Sequence, residues 1–125
     1  ALGPLMRAGE AVRLESWQNA QDQAIAAARN ALGIKSSYRP LPWFWSDQHG
    51  LLIQIVGLID DDARCVIRGS IRGSFVAFFL LDEKVVAAVG CNAPRDLRIA
   101  KRLIEKGRTI SEFDLSDPSV SLSAI

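Results

Sequence analysis

Small apolar residues recur at intervals of three and four between residues 16 and 32, which is the spacing of one face of an α-helix. Ser16 suits an N-cap, and Gly33 suits the position just beyond a helix end, so both ends of this helix are predicted. The apolar stripe consists of Trp17, Ala20, Ala24, Ala27, Ala28 and Ala31. Because alanine lets a neighbouring layer approach closely, we expect this stripe to be buried.

Four runs rich in β-branched and aromatic residues follow the first helix. They predict strands at roughly 51–58, 63–70, 74–81 and 84–91. They are separated by short polar links, as hairpins require, at 60–62, 71–73 and 82–83. The pattern therefore predicts an antiparallel meander.

A second amphipathic helix is predicted from Pro94 to Lys106, since proline is tolerated in a first helical turn and Gly107 ends the pattern. Its inner face consists of Leu97, Ala100, Leu103 and Ile104. Residues 1–14 show no sustained period and indicate a loose lead-in. The order of elements predicts an α+β domain, in which helices cover an antiparallel β-meander sheet.

The composition of the 125 residues, 49% hydrophobic and 23% charged, is that of a globular domain. A formal net charge of +1 gives no reason to expect a nucleic-acid partner. The longest apolar runs are too short to span a bilayer, and the start of the sequence lacks a signal-peptide pattern. Cys65 and Cys91 lack metal-binding spacing and indicate reduced buried thiols, although a pairing between them stays open. We expect a cytoplasmic protein with no membrane or nucleic-acid partner.

Residues with catalytic or metal-binding chemistry are sparse. His49 is the single histidine, and beside Gly50 it fits a turn or surface position better than a catalytic base. The acidic triplet at 60–62 lacks the later ligands of a calcium loop. The sequence also contains no Gly-rich dinucleotide fingerprint. It predicts no catalytic residue and no metal site.

Three consecutive aromatic residues, Trp43, Phe44 and Trp45, follow Pro42. Proline fixes the local backbone, so these side chains are presented from an extended segment. Such a cluster is unfavourable when exposed to water. It indicates either a core plug or a platform for a flat conjugated cofactor or a partner.

Two motifs carry a family resemblance: Arg-Leu-Glu-Ser-x-x-Asn-Ala at 13–20 and Pro-Trp-Phe-Trp-Ser-Asp-Gln at 42–48. With Val-Ile-Arg-Gly at 66–69, they resemble the FAD-dependent ferredoxin reductases that serve Rieske oxygenases and bacterial cytochromes P450. The resemblance covers essentially the whole chain. It implies a ferredoxin-reductase C-terminal-domain-like fold over residues 38–125, preceded at 1–37 by a lead-in and helix from the end of an FAD-binding domain. The chain is then expected to be a fragment that is inactive alone.

The resemblance also implies a cofactor site. The helix start at Ser16, Trp17 and Gln18 is expected to meet the pyrimidine edge of FAD, where the amides and dipole of a helix N-terminus favour negative charge. Trp45 is expected near the flavin rings, where it would exclude water. FAD would be shared with the missing domains. The implied parent reaction passes electrons from NAD(P)H through FAD to a [2Fe–2S] ferredoxin, which is the implied protein partner.

A different class of function stays open. Exposure of the Trp43–Trp45 face would create an apolar patch, so the chain could instead be a stand-alone oligomerisation or protein-interaction module. The second helix also carries several basic side chains, which are typical of a solvated face and leave docking of an acidic protein as an alternative. Position 25, where relatives can carry a basic residue for ferredoxin docking, is Ile25 in this sequence.

Overall fold

The computed structural model of the chain describes residues 6–7 and 10–125, with side chains from residue 11 onward. The chain divides into two compact units, Ala1–Trp43 and Phe44–Ile125. None of the helices in the described residues is both long enough and apolar enough to cross a membrane.

The first unit contains a short strand pair and one helix. Strand β1 (Met6–Arg7) pairs antiparallel with β2 (Glu10–Ala11), and helix α1 covers Trp17–Ala31. The lead-in predicted for residues 1–14 falls partly on residues 1–5 and 8–9, which lie outside the described residues.

The ends of α1 are set by the residues that the sequence indicated. The side-chain oxygen of Ser16 accepts a hydrogen bond of 3.2 Å from the amide of Asn19, which satisfies one donor of the first turn. Gly33 follows the helix with a φ of 78°, a left-handed conformation that glycine adopts without strain. The predicted helix and its N-cap are therefore confirmed.

The burial predicted for the alanine stripe of α1 is wrong. All six stripe residues are exposed, Trp17 to 71%, whereas the buried positions of the helix are Asn19 and Ala26. Asparagine side chains on the other side of α1 hydrogen-bond to the chain around it, including Ser36 and Tyr38. Hydrogen bonds, rather than the spacing of apolar residues, therefore determine which face of α1 is buried.

A five-stranded sheet makes up most of the remaining chain. Its strands are β3 (Trp43–Gln48), β4 (Leu51–Gly57), β5 (Arg64–Gly69), β6 (Phe75–Leu81) and β7 (Lys84–Cys91). They lie in the order β3-β4-β7-β6-β5, so β7 is central. Strand β4 pairs antiparallel with β7, β7 with β6, and β6 with β5.

The sheet differs from the predicted four-stranded meander in two ways: the segment predicted only as extended forms a fifth strand, β3, and one connection is not a hairpin. Strands β5, β6 and β7 follow one another through hairpins, but β4 pairs with β7 instead of β5. The link at 58–63 therefore crosses the end of the sheet over about 14 Å, and the hairpin predicted at 60–62 does not form. Six residues in an extended conformation reach about 20 Å, so the link is long enough to cross this distance. The resulting order is that of a Greek key.

Two short turns close the β3–β4 and β6–β7 hairpins. His49 and Gly50 have φ values of 53° and 76°, and Asp82 and Glu83 have values of 48° and 60°. Two consecutive positive φ values define the type I′ turn, whose twist matches that of the strands it joins. His49 is thus a turn residue, in agreement with the sequence.

Helices α2 (Pro94–Lys106) and α3 (Glu112–Ser116) pack on the sheet. Helix α2 has the predicted bounds, and its predicted inner residues are buried except Ile104, which is half-buried. A β-carbon at Gly90 would stand 3.3 Å from a methyl group of Leu97, so this glycine lets α2 approach β7 closely. The α+β class with an antiparallel sheet and helices is confirmed.

A buried arginine fixes the C-terminal segment to the sheet. Arg68 on β5 is only 9% exposed. Its guanidinium donates hydrogen bonds of 2.6–3.3 Å to the backbone carbonyls of Leu115, Asp117, Pro118 and Val120. These acceptors satisfy donors that burial would otherwise leave unpaired.

Candidate functional site

Asn19 organises the start of α1. Its side-chain nitrogen donates a 2.9 Å hydrogen bond to the carbonyl of Leu14, and its side-chain oxygen accepts one from the hydroxyl of Tyr38. Burial raises the pKa of Tyr38, and the carboxylate of Asp22 adds to the rise, so the phenol stays a donor at neutral pH. The helix start is thus tied to the residues just before it and to an extended segment after it.

Asn30 makes a matching set of bonds near the end of the helix. Its side-chain nitrogen donates to the carbonyls of Ala26 and Ser36 at 2.8 Å, and its oxygen accepts from the amide of Ser36 at 3.0 Å. Together with the Asn19–Tyr38 bond, these contacts hold the segment at 36–38 against α1. The first unit therefore presents its helix start from a supported position.

A narrow crevice lies beside the helix start. Its lining includes Ser16, Gln18 and Asp22 on the helix side and Pro42 and Trp43 on the other. Its volume is ≈ 10 Å³, which accommodates about one water molecule. A flat ring system could therefore lie over the crevice but not inside it.

Gln18 carries a polar atom that the fold leaves unsatisfied. Its side-chain oxygen Oε1 is buried, and the described part of the structure provides no hydrogen-bond partner for it. A buried acceptor without a donor costs about 1–3 kcal/mol. A hydrogen-bond donor that reached this atom would recover that cost, and the crevice that Gln18 lines has room for about one water molecule.

The first turn of α1 contributes positive charge, and the first carboxylate on the helix, that of Asp22, lies in the second turn and lines the crevice. A helix N-terminus behaves as about half a positive charge. The first turn of α1 contains no acidic residue. Glu15 lies just before the helix but is largely exposed and only 3.9 Å from Arg13. The helix start is therefore suited to a group that carries or develops negative charge.

The four residues predicted to contact a cofactor fall into two places. Ser16 and Gln18 line the crevice, and Trp17 lies between them in sequence with its side chain 71% exposed. Trp45 is 47% exposed on β3 in the second unit. The structure adds Trp43 to the crevice beside Ser16 and Gln18.

The supporting roles of Asn19 and Tyr38 were not predicted from the sequence. Asn19 is the asparagine of the Glu-Ser-x-x-Asn-Ala motif. The motif drew attention to the residue but did not indicate which hydrogen bonds it makes. Tyr38 is the only tyrosine of the chain and begins the proline-rich segment. The sequence did offer one signal for this role: Asn19 is at the third position of the predicted helix, where an asparagine cannot act as a cap and must find other hydrogen-bond partners.

The second unit has one larger cleft, with a volume of ≈ 600 Å³. It is lined mainly by polar side chains, and Arg64 and Glu112 form an ion pair of 2.6 Å beside the exposed Phe113. Across the described ranges, no group of three or more His, Cys, Asp or Glu residues could hold a metal ion. The helix start in the first unit therefore remains the better candidate for a cofactor.

Comparison with known proteins assigns the family. The sequence profile of the family described as Reductase C-terminal matches residues 43–125, well over half of the chain. The chain belongs to this family. The resemblance to the C-terminal domain of ferredoxin reductases is thereby confirmed.

Curated relatives show how much of a longer protein this chain represents. It is 43% identical over 116 residues to the ferredoxin–NAD(+) reductase component of an anthranilate 1,2-dioxygenase system from Burkholderia cepacia, covering 91% of this chain and 29% of the relative. It is 38% identical over 112 residues to a ferredoxin–NAD(P)(+) reductase from a Sphingomonas species, covering 89% and 27%. The chain spans less than a third of these relatives.

Solved structures give the same result at the level of the fold. A ferredoxin reductase from Rhodopseudomonas palustris matches with a TM-score of 0.83 and 35% identity, covering 93% of this chain and 29% of that one. The covalent putidaredoxin reductase–putidaredoxin complex matches with a TM-score of 0.83 and 33% identity, covering 92% and 28%.

Proposed function

We propose that this chain is the C-terminal part of an FAD-dependent ferredoxin–NAD(P)+ reductase and that it supplies part of the FAD site. The observation that carries the proposal is the start of α1, where an N-capped helix stands beside the unsatisfied buried oxygen of Gln18. Membership of the Reductase C-terminal family supports it, as do relatives named ferredoxin reductases.

The hydrogen-bonding groups at this helix start match the pyrimidine edge of a flavin. That edge presents carbonyl acceptors on either side of one N–H donor. The amides of a first helical turn point outward as donors, and Gln18 Oε1 is an acceptor. Both kinds of partner are therefore available within two residues of Ser16. The residues present fit the group.

The helix start also has the charge that such a cofactor needs. When bound, FAD supplies hydride acceptance from NAD(P)H and one-electron donation to a [2Fe–2S] protein. The positive end of α1 would stabilise negative charge at the pyrimidine edge by about 0.3–1 kcal/mol, and by up to about 2 kcal/mol where the contact is partly buried. The contribution of α1 is thus to favour the reduced cofactor rather than to move a proton.

The other expected contributions belong to the whole enzyme. We place the end of the FAD-binding part at residue 37 and the C-terminal domain at 38–125. Trp45 would lie near the flavin rings and keep water away from them. The ferredoxin partner and the nicotinamide co-substrate would be bound with the help of the larger part of the enzyme.

A full-length hybrid enzyme tests the proposal. The matching C-terminal segment of the Burkholderia cepacia reductase would be replaced by this chain, and the purified hybrid would be assayed for bound FAD and for NADH-dependent reduction of ferredoxin. We expect one FAD per chain and measurable ferredoxin reduction. A folded, monodisperse hybrid that carries no flavin would overturn the proposal, because the two sequences share 43% identity over the exchanged segment.

The isolated chain provides the second arm of this test. It should be colourless and should not oxidise NADH, since it contains only part of the site. The stand-alone interaction module is the other candidate, favoured by the half-exposed side chains of Phe44 and Trp45. Light scattering separates the two: a chain that self-associates through these aromatics would become monomeric in a Phe44→Ser, Trp45→Ser variant.

A further inference from the structure

The outer side of helix α2 carries a row of positive charge. Four basic residues recur there at intervals of three and four, so they lie along one side of the helix. They are Arg95, Arg98, Arg102 and Lys106. All four are exposed, whereas Leu97, which contacts the sheet at Gly90, is buried. We call these four residues the basic stripe, which is about 16 Å long.

The positive charge of the chain is concentrated around α2. Residues 94–108 contain six Lys or Arg residues and two Asp or Glu residues, which gives this segment a formal charge of +4. The whole chain has a net charge of +1, so its other residues together carry −3. The basic stripe is therefore a local feature and does not follow from a basic composition.

The fold does not neutralise the basic stripe. Within the described part of the chain, none of its four side chains makes an ion pair or a side-chain hydrogen bond, because the ion pairs there join other residues. Arg98 and Arg102, like Arg102 and Lys106, are like charges four residues apart, which destabilises a helix. Arg95 adds positive charge to the first turn, where the helix dipole disfavours it. Helix α2 therefore keeps a repulsion that an acidic partner would relieve.

An ordinary solvated helix face has a different pattern. Such a face mixes both signs and places Glu four residues before Lys or Arg. The acidic residues of α2 are Asp96 and Glu105, and neither stands four residues before a basic residue. Three of the four stripe residues are arginine, which is enriched at protein interfaces, where lysine is depleted. The stripe therefore has the composition of a binding surface.

Among anionic partners, the surroundings of the stripe favour a protein. Nucleic-acid surfaces combine a strong basic charge with stacking or groove-reading groups, but the net charge of the chain is +1 and α2 contains no aromatic residue. Membrane surfaces bind helices that expose an apolar side, and the apolar side of α2 is packed on the sheet. Carboxylates on a protein match the planar donor forks of the three arginines.

We propose that the basic stripe of α2 docks an acidic protein that presents a row of carboxylates about 16 Å long. This partner differs from the ferredoxin of the proposed function. An electron acceptor is expected beside the flavin, near Trp45 on β3, whereas the stripe lies on α2 and faces away from the sheet. The inference does not rest on the proposed function, because the residues of the flavin site take no part in it.

An acidic peptide serves as the probe for such a surface. It is a fluorescently labelled, alanine-based helical peptide of about 16 residues, with glutamate at about every fourth position so that the carboxylates form a row. Its binding to the 125-residue chain is followed by fluorescence anisotropy. We expect saturable binding that weakens about tenfold or more between about 20 and 200 mM salt, because salt screens exposed charges.

Two double variants test whether the stripe is responsible. Arg98→Glu, Arg102→Glu reverses the centre of the stripe and should weaken peptide binding about tenfold or more. The matched control, Arg72→Glu, Lys84→Glu, makes the same change in net charge at exposed positions of the same unit and should bind within about twofold of the original chain. Arg98→Gln, Arg102→Gln removes the charge without reversing it and should give an intermediate loss. Circular dichroism checks that each variant is folded.

Three results with the isolated chain would overturn the inference. The first is no binding of the peptide, and the second is an equal loss in the matched control. The third is tighter binding, through Arg98 and Arg102, of a DNA duplex or of vesicles that contain phosphatidylserine, which would assign the stripe to a nucleic acid or a membrane.

The full-length hybrid supplies the remaining tests. The peptide should bind it as tightly as it binds the isolated chain, and the KM for ferredoxin should be unchanged by Arg98→Glu, Arg102→Glu. Loss of peptide binding in the hybrid would show that the rest of the enzyme covers the stripe, and a raised KM would show that the electron acceptor docks there. Either result would overturn the inference. A hybrid that binds the peptide but carries no flavin would count against the proposed function alone.

Discussion

The hydroxyl of Tyr38 donates a hydrogen bond to the side-chain oxygen of Asn19, nineteen residues earlier in the chain. This bond fixes an extended segment to the first turn of α1. Asn19 also holds the carbonyl of Leu14 on the near side of the helix start. One side chain thus positions the chain entering the helix and the chain that returns to it.

Replacing Asn19 should loosen the helix start. Asn19→Ala removes two side-chain hydrogen bonds and takes from the carbonyl of Leu14 its donor, at a cost of about 1–3 kcal/mol. Hydrogen–deuterium exchange should show faster exchange of the α1 amides. Ser36→Ala is the matched control, because Ser36 bonds to Asn30 through its backbone amide and carbonyl, which the substitution retains. Unchanged protection in the Asn19 variant would contradict the role assigned to this residue.

The pKa of Tyr38 should lie above the ordinary value for tyrosine. It is the only tyrosine in the chain, so the ultraviolet absorbance of phenolate reports it alone. Burial and then Asp22 raise the pKa, so the titration midpoint in the folded chain should lie above the value of about 10 found in denaturant. The associated stability is present below pH 10 and is lost as the pH rises through the raised pKa. Equal midpoints in both states would contradict the half-buried, hydrogen-bonded position.

Arg68 should be essential for the C-terminal segment. Arg68→Ala leaves four carbonyl acceptors without their donor and should lower the free energy of unfolding by about 3 kcal/mol. Arg68→Lys keeps the charge but not the fork of donors, so an intermediate loss is expected. Urea denaturation measures both, with the exposed Arg72→Ala as a control that should be near neutral. A loss for Arg72 as large as for Arg68 would contradict the account.

Neighbouring residues on β5 should differ sharply in their tolerance of charge. Val66 is 8% exposed on the face of the sheet that the helices cover, whereas Ile67 is 48% exposed on the opposite face, which we call the open face. In the isolated chain, Val66→Lys should cost about 3 kcal/mol or more, since it buries an unpaired charge, and Ile67→Lys should cost less than about 1 kcal/mol. Urea denaturation checks both. Similar losses for the two variants would show that the open face is covered within this chain.

The parts of the fold that depend on local chemistry were predicted from the sequence. The cap at Ser16, the stop at Gly107 and the turn at 82–83 are each set by a few adjacent residues. The partner of β4 was not predicted correctly, because a polar link shows that a strand ends and says nothing about which strand lies beside it. The choice of β7 depends on contacts between residues far apart in sequence.

The candidate site was predicted only in part, because it too depends on contacts between residues that are far apart in sequence. The motif at 13–20 marked the helix start, but the crevice beside it also depends on Trp43. The buried face of α1 was predicted wrongly, because alanine spacing was given more weight than the hydrogen-bonding capacity of Asn19 and Asn30.

The affinity of the full-length hybrid for FAD tests the central claim most directly. The measurement compares dissociation constants for Gln18→Leu and for Gln23→Leu, a glutamine on the same helix that does not line the crevice. Loss of one hydrogen bond of about 1.4 kcal/mol corresponds to about tenfold weaker binding. We predict that loss for Gln18→Leu and an unchanged constant for Gln23→Leu. Equal affinities in two folded variants would contradict a hydrogen bond between the flavin and the side-chain oxygen of Gln18.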